Sequence, residues 1–263
     1  MKSRNKVHVV YFTCSKHFTY LAISLESLVK LRSKFLGNVY LYVDKEDFLT
    51  EEQIGSLRKI RPDLTIRRCS KLSWAGEQTI LTELQAFKEI NEEIPPESYI
   101  AKVDSDVLFI SGDIFPRVLK TNDFLVGHRE DYWAPFFHTQ GGCYFLKSSF
   151  IPNLSDFKRN VFSEVLEKIN NETAKSKNRF INACPEDAAI YSIVKSKTDR
   201  VSFLEFYYSS VFHFGTNKDK MPGFYRSKMF AYRAKYNILK ILPAPLRSMF
   251  KNLAKPHNEP ITQ

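Results

Sequence analysis

The stretch 99–110, YIAKVDSDVLFI, places two carboxylates, Asp104 and Asp106, two residues apart in a run of β-formers. Buried carboxylates are costly unless they are paired or bind a metal. Side chains at i and i+2 leave a strand on the same face. Asp104 and Asp106 are therefore expected to converge while Ser105 faces away. Two carboxylates at one point suit a hard divalent cation that keeps positions open for phosphate oxygens. The plainer alternative is a strand ending in a turn with two solvated acids, because Asp-x-Asp is common by itself. A second acidic pair, Glu186-Asp187, follows Pro185 and opens a helical segment. Acids are favoured there by the helix dipole whether or not they do chemistry.

The elements around these acids alternate. Strands are expected over 7–13, 39–43 and 64–69. Helices follow over 20–31 and 51–60, the second opened by the capping-box sequence Thr50-Glu-Glu-Gln53. A helix over 77–91, the Asp-x-Asp strand, a short helix over 113–119 and a strand over 124–127 come next. Gly141-Gly142 leads into a strand over 143–146. Helices over 155–169 and 188–194 and strands over 201–206 and 211–215 complete the pattern. It predicts an α/β fold with a Rossmann-like, mostly parallel sheet flanked by helices. Ligands in such sheets bind beyond the carboxyl ends of the strands. Ser15, Asp44, Asp104, Asp106 and His213 fall at such ends. There is no Gly-x-Gly-x-x-Gly and no P-loop sequence, which disfavours dinucleotide and P-loop phosphate binding.

The 263 residues are 43% hydrophobic, enough for a sizeable core. No apolar run approaches the roughly 18 residues that span a bilayer. Cys14, Cys69, Cys143 and Cys184 are widely spaced and contain no Cys-x-x-Cys pair. They read as reduced thiols of a cytoplasmic protein. The charge is segregated: from Lys220 onward nine basic residues face one acid, Glu259, whereas the rest carries 30 basic and 28 acidic residues. A nearly neutral body argues against nucleic acid as a partner. The division expected is a domain over 1–219 and a basic amphipathic helical tail over 220–263. In the tail Met229, Tyr232, Tyr236 and Leu239 share one helical face, and Arg226, Arg233 and Lys240 recur on another. Such a face suits an anionic membrane surface, reached through 220–255. A helix packed on the domain is the alternative.

In order along the chain, VDSDVLF, GDIFPRVL, GGCYFLKSSF, PEDAAIY and HFGTNK resemble a GT-A glycosyltransferase, and the first half resembles the family-8 type of bacterial sugar transferase. The likeness spans most of residues 7–218. It implies transfer of a sugar from a nucleotide-sugar donor, a UDP-sugar, to a glycan or lipid-linked acceptor of the cell-surface polysaccharide type. It implies Mn2+ or Mg2+ held by Asp104, Asp106 and His213, with Ser105 between the two acids. Lys218 would neutralise the leaving diphosphate, although His213-Phe-Gly215-Thr-Asn-Lys218 is one residue shorter before the glycine than the family's His-x-x-Gly-x-x-Lys. Glu186 and Asp187 would serve the anomeric carbon or the acceptor hydroxyl. Thr13, Ser15, His17 and Asp44 would meet the nucleoside. Family-8 members usually carry an Asp in the first loop, and this chain has Thr13-Cys14-Ser15 there. Gln140, Gly141 and Gly142 would let the backbone approach the donor sugar, and Trp133, Phe136, Phe137 and His138 would form an acceptor platform. The implied location is cytoplasmic, peripheral on the inner face of the plasma membrane. A nucleotidyltransferase, or a non-catalytic glycan- or membrane-binding protein on the same fold, is the alternative.

Overall fold

A computed structural model describes residues 5–70, 72, 77–130, 138–154, 167, 186–207 and 209–213. The first strand, β1 (Val7–Thr13), is buried along almost its whole length. A 3-10 turn at Ser15–His17 leads into α1 (Phe18–Lys30). β2 (Leu36–Asp44) follows, then α2 (Glu51–Ile60), which carries the expected capping box between Thr50 and Gln53. β3 (Thr65–Cys69) and α3 (Glu77–Asn91) come next. β4 (Tyr99–Asp104) and β5 (Val107–Phe109) precede α4 (Ile114–Thr121). β6 (Leu125–Glu130), β7 (His138–Lys147) and a 3-10 stretch at Ser148–Leu154 follow. α5 (Glu186–Lys197), β8 (Val201–Phe203) and β9 (Val211–His213) are the last described elements.

Seven strands form one sheet in the order β3-β2-β1-β4-β7-β6-β8. All pairings are parallel except those of β7, which runs against both β4 and β6. Both faces are covered, as near-continuous apolar strands require. On one face Val10, Tyr40, Ile100, Tyr144 and Leu146 pack with Ile80, Phe87 and Ile90 of α3 and Ile190 and Ile193 of α5. On the other, the Tyr11 hydroxyl meets Ser24 Oγ of α1 at 3.0 Å. The mostly parallel, helix-flanked sheet expected from the sequence is the one observed.

Three boundaries differ in ways that matter. The strand expected over 99–110 is broken. β4 ends at Asp104, the chain turns through Ser105 and Asp106, and β5 leaves the large sheet to pair with β9. The break is built by polar contacts: Ser105 Oγ bonds Thr13 Oγ1 at 3.0 Å, and Ser27 Oγ accepts from the Phe109 N–H at 3.0 Å. Ser105 is therefore buried against β1. The strand expected from 143 starts at His138, which puts Gly141 and Gly142 inside β7. The helix expected from 188 starts at Glu186, so both acids lie in its first turn. The helix expected over 155–169 lies outside the described residues apart from one position. Trp133, Phe136, Phe137, Lys218 and the whole of 220–263 lie outside them too, as do the side chains of His138 and Gln140.

Candidate active site

The carboxyl end of β4 carries the two acids of the Asp-x-Asp stretch. Asp104 is its last residue, and Asp106 projects from the turn that follows. His213 reaches them through the small ladder, because Val107 of β5 is in register with His213 of β9. One ligand atom from each of Asp104, Asp106 and His213 lies within 4.8 Å of the others. His213 Nε2 is 3.0 Å from Asp106 Oδ1. Burial opposes the charge on His213, but the hydrogen bond and charge of Asp106 outweigh it and raise the imidazole pKa. The same balance in reverse holds Asp106 below the usual carboxylate range. Two carboxylate oxygens and an imidazole nitrogen, none fully buried, are a donor set suited to Mn2+ or Mg2+.

Behind this trio is a group the sequence reasoning missed. Lys102, on the same face of β4 as Asp104, is only 2% exposed. Its ammonium donates to Asp104 Oδ1 at 2.8 Å, to the Gly141 carbonyl at 2.9 Å and to Glu186 Oε1 at 3.0 Å. Glu83 Oε1 of α3 stands 3.8 Å away. Burial works against a charged lysine, but the neighbouring Asp104 and Glu186 outweigh it and hold its pKa well above the ordinary value. Burial instead pushes Glu83 up to about 8, and the Tyr144 hydroxyl donates to its other oxygen at 3.0 Å. One ammonium thus bridges the carboxylates of Asp104 and Glu186. A lysine inside a fully apolar strand, two residues before an acid, was the available signal, because lysine is almost never buried unpaired.

Asp187 sits beside Glu186 but in different surroundings. It is buried, and its Oδ1 accepts the Ala188 N–H at 2.8 Å. Its Oδ2 lies 2.9 Å from where a Cβ on Gly141 would be. Gly141 therefore admits the carboxylate against the β7 backbone. Gly142 is buried next to it.

The nucleoside candidates divide. Thr13 is 1% exposed, with its hydroxyl on Ser105. Asp44 is buried, and its two oxygens accept the N–H groups of Glu46 at 2.8 Å and Leu72 at 3.0 Å, so it shapes the loop after β2. Ser15 Oγ bonds Asp47. His17 is exposed and close enough to add to the field that stabilises ionised Asp106. The structure thus brings together Asp104, Asp106, His213, Gly141, Glu186 and Asp187.

No family model matches the sequence, and no curated protein does. Solved structures do match. A galactosyltransferase, LgtC, in complex with donor and acceptor sugar analogues aligns with a TM-score of 0.51 at 9% identity, over 84% of this chain and 82% of that one. Glycosyltransferase GlyE of Streptococcus pneumoniae TIGR4 gives 0.45 at 14% identity over 77% of this chain. This chain spans under half, 46%, of the GlyE chain. Core-mannan synthase A of Aspergillus fumigatus, in its Mn/GDP form, gives 0.48 at 11% identity, over 77% and 73% of the two chains. The fold of this chain is the GT-A fold of such enzymes, resting on the first of these alignments.

Proposed function

We propose that this chain is a divalent-metal-dependent glycosyltransferase. It moves a sugar from a nucleotide-sugar donor, a UDP-sugar, to a glycan or lipid-linked acceptor of the cell-surface polysaccharide type. The observation that carries the reading is the convergence of Asp104, Asp106 and His213 beyond the carboxyl end of β4 on a GT-A fold. These three would hold Mn2+ or Mg2+. When bound, the ion supplies positive charge against the leaving diphosphate without any proton transfer. The chain's own residues do the rest. His17 and Ser15 border the end of β1, where the nucleoside would lie. The glycine pair in β7 lets the backbone come close to the donor sugar. The acidic pair in the first turn of α5 supplies a carboxylate for an oxocarbenium-like centre or for the acceptor hydroxyl. Lys218 would stand at the diphosphate, and the basic tail would hold the enzyme on the inner face of an anionic membrane, where lipid-linked acceptors are found.

The test is release of nucleoside diphosphate from a panel of nucleotide sugars. Turnover should vanish in EDTA and return with Mn2+. Asp106→Asn should lower it by about 100-fold, the scale seen when a preorganised electrostatic contact is removed, while circular dichroism shows the fold retained. Full turnover in EDTA would overturn the metal mechanism. No turnover with any donor would overturn the reading as a whole.

A further inference from the structure

We propose that Lys102 and Glu186 form a positioning pair. Of the two adjacent acids, Glu186 holds the site in register, and Asp187 is the carboxylate that acts on the reacting sugar. This rests on the glycosyltransferase reading and divides the roles within it.

A lysine ammonium has three hydrogens and no acceptor. Here each hydrogen has a partner: Asp104 Oδ1 at 2.8 Å, the Gly141 carbonyl at 2.9 Å and Glu186 Oε1 at 3.0 Å. None remains for a substrate phosphate, and the side chain is only 2% exposed. Lys102 is therefore an internal group, unlike a phosphate-binding lysine on a surface loop. Its three acceptors come from three elements: the end of β4, the middle of β7 and the first turn of α5. One ammonium thus sets where the metal-binding carboxylate, the glycine strand and the acidic helix lie relative to one another.

That geometry restricts Glu186. Swinging its carboxylate toward a substrate hydroxyl would strip a buried cation of a partner, and breaking a buried pair from one side is strongly destabilising. Asp187 is not among the acceptors of Lys102. It packs against Gly141, with Oδ2 toward the glycine and Oδ1 on the Ala188 N–H. Moving it breaks none of the three bonds of the ammonium.

The experiment uses the full-length chain and three variants, Glu186→Ala, Glu186→Gln and Asp187→Asn. Each is assayed with Mn2+ and a panel of UDP-galactose, UDP-glucose and GDP-mannose, and each is melted thermally. Glu186→Ala should lose about 10- to 100-fold in kcat, the scale of lost outer-shell support. It should also melt several degrees lower, about what a lost buried contact does in a chain of this size. Glutamine keeps an oxygen that can accept from the ammonium, so Glu186→Gln should recover both melting and most of the turnover. Asp187→Asn should lose about 100-fold or more in kcat, as removal of an acid-base group does, with a smaller fall in melting than Glu186→Ala. Turnover of Glu186→Gln as low as that of Asp187→Asn would overturn the proposal. So would identical melting of Glu186→Ala and Glu186→Gln. If the unmodified chain turns over no donor, the glycosyltransferase reading falls, and the melting comparison still decides the pair.

Discussion

Gly141 is the residue on which the two halves of the site meet. Its carbonyl accepts from Lys102, and its Cα faces the Asp187 carboxylate. It has no positive φ, so an L side chain is not strained there by the backbone. The constraint is space alone: a Cβ would stand 2.9 Å from Asp187 Oδ2 and 3.1 Å from its Cγ. Gly141→Ala should therefore keep the sheet and move the carboxylate. The expected result is a kcat lower by about 10-fold or more, because displacements near 1 Å are that damaging, with a melting temperature close to that of the unmodified chain. Unchanged kcat would mean that the Asp187 position is irrelevant to turnover. At this scale the acids were legible from sequence because β-formers around Asp-x-Asp and the order of later motifs constrain what they can be. The burial of Lys102 had a local signal, but the identity of its partners did not. Its partners Gly141 and Glu186 lie 39 and 84 positions away, and no local pattern brings them together. Thr13 and Asp44 looked available only because a sequence does not tell a strand-end side chain facing ligand from one bonded inward.

The elements were read more easily than the joints between them. The capping box before α2 and the apolar spacing of α3 are local, so the sequence carries them directly. The break after Asp104 depends on Thr13 and Ser27 capturing Ser105 and the Phe109 N–H, which is tertiary. A similar tertiary polar contact joins β1 to β2 and makes a prediction. His8 in β1 is 6% exposed, and its Nδ1 accepts the Asn38 N–H at 3.1 Å across the strand pair. Its ring also fills the space a Cβ on Gly37 would need. Burial, helped by the charge on Lys6, lowers its pKa from 6.5 to about 4. The folded state therefore holds His8 neutral, and the unfolded state takes up a proton first as the pH falls. The contribution is fully present above pH 6.5 and is lost between 6.5 and about 4. The size of the shift corresponds to about 3 kcal/mol. Urea unfolding at pH 7, 5.5 and 4 should show that loss, and His8→Gln should reduce this part of the slope. A His8→Gln chain that is equally acid-sensitive would place the loss elsewhere.

The whole molecule is divided by charge more than by composition. The nearly balanced body contains the sheet and the candidate site, and nine basic residues against one acid occupy the chain from Lys220 onward. Among the described residues no helix is long and apolar enough to cross a membrane, and the surface contact proposed for the basic tail can be tested directly. Electrostatic attraction to an anionic leaflet is worth about 1 kcal/mol for each lysine or arginine near the surface. Arg226, Arg233 and Lys240 recur at one spacing in the tail. Replacing all three by alanine should thus weaken binding to phosphatidylserine-containing vesicles by about 3 kcal/mol, on the order of a hundredfold. Binding should be strong at about 0.1 M salt, where charges act over ~10 Å, and largely gone near 1 M, where the range is ~3 Å. Cosedimentation with vesicles measures both effects, and turnover of a soluble donor in the absence of membranes should not change in the triple variant. Equal binding to purely zwitterionic vesicles, or binding untouched by the triple replacement, would show that the basic face does not hold the membrane. The packed-tail alternative would then stand.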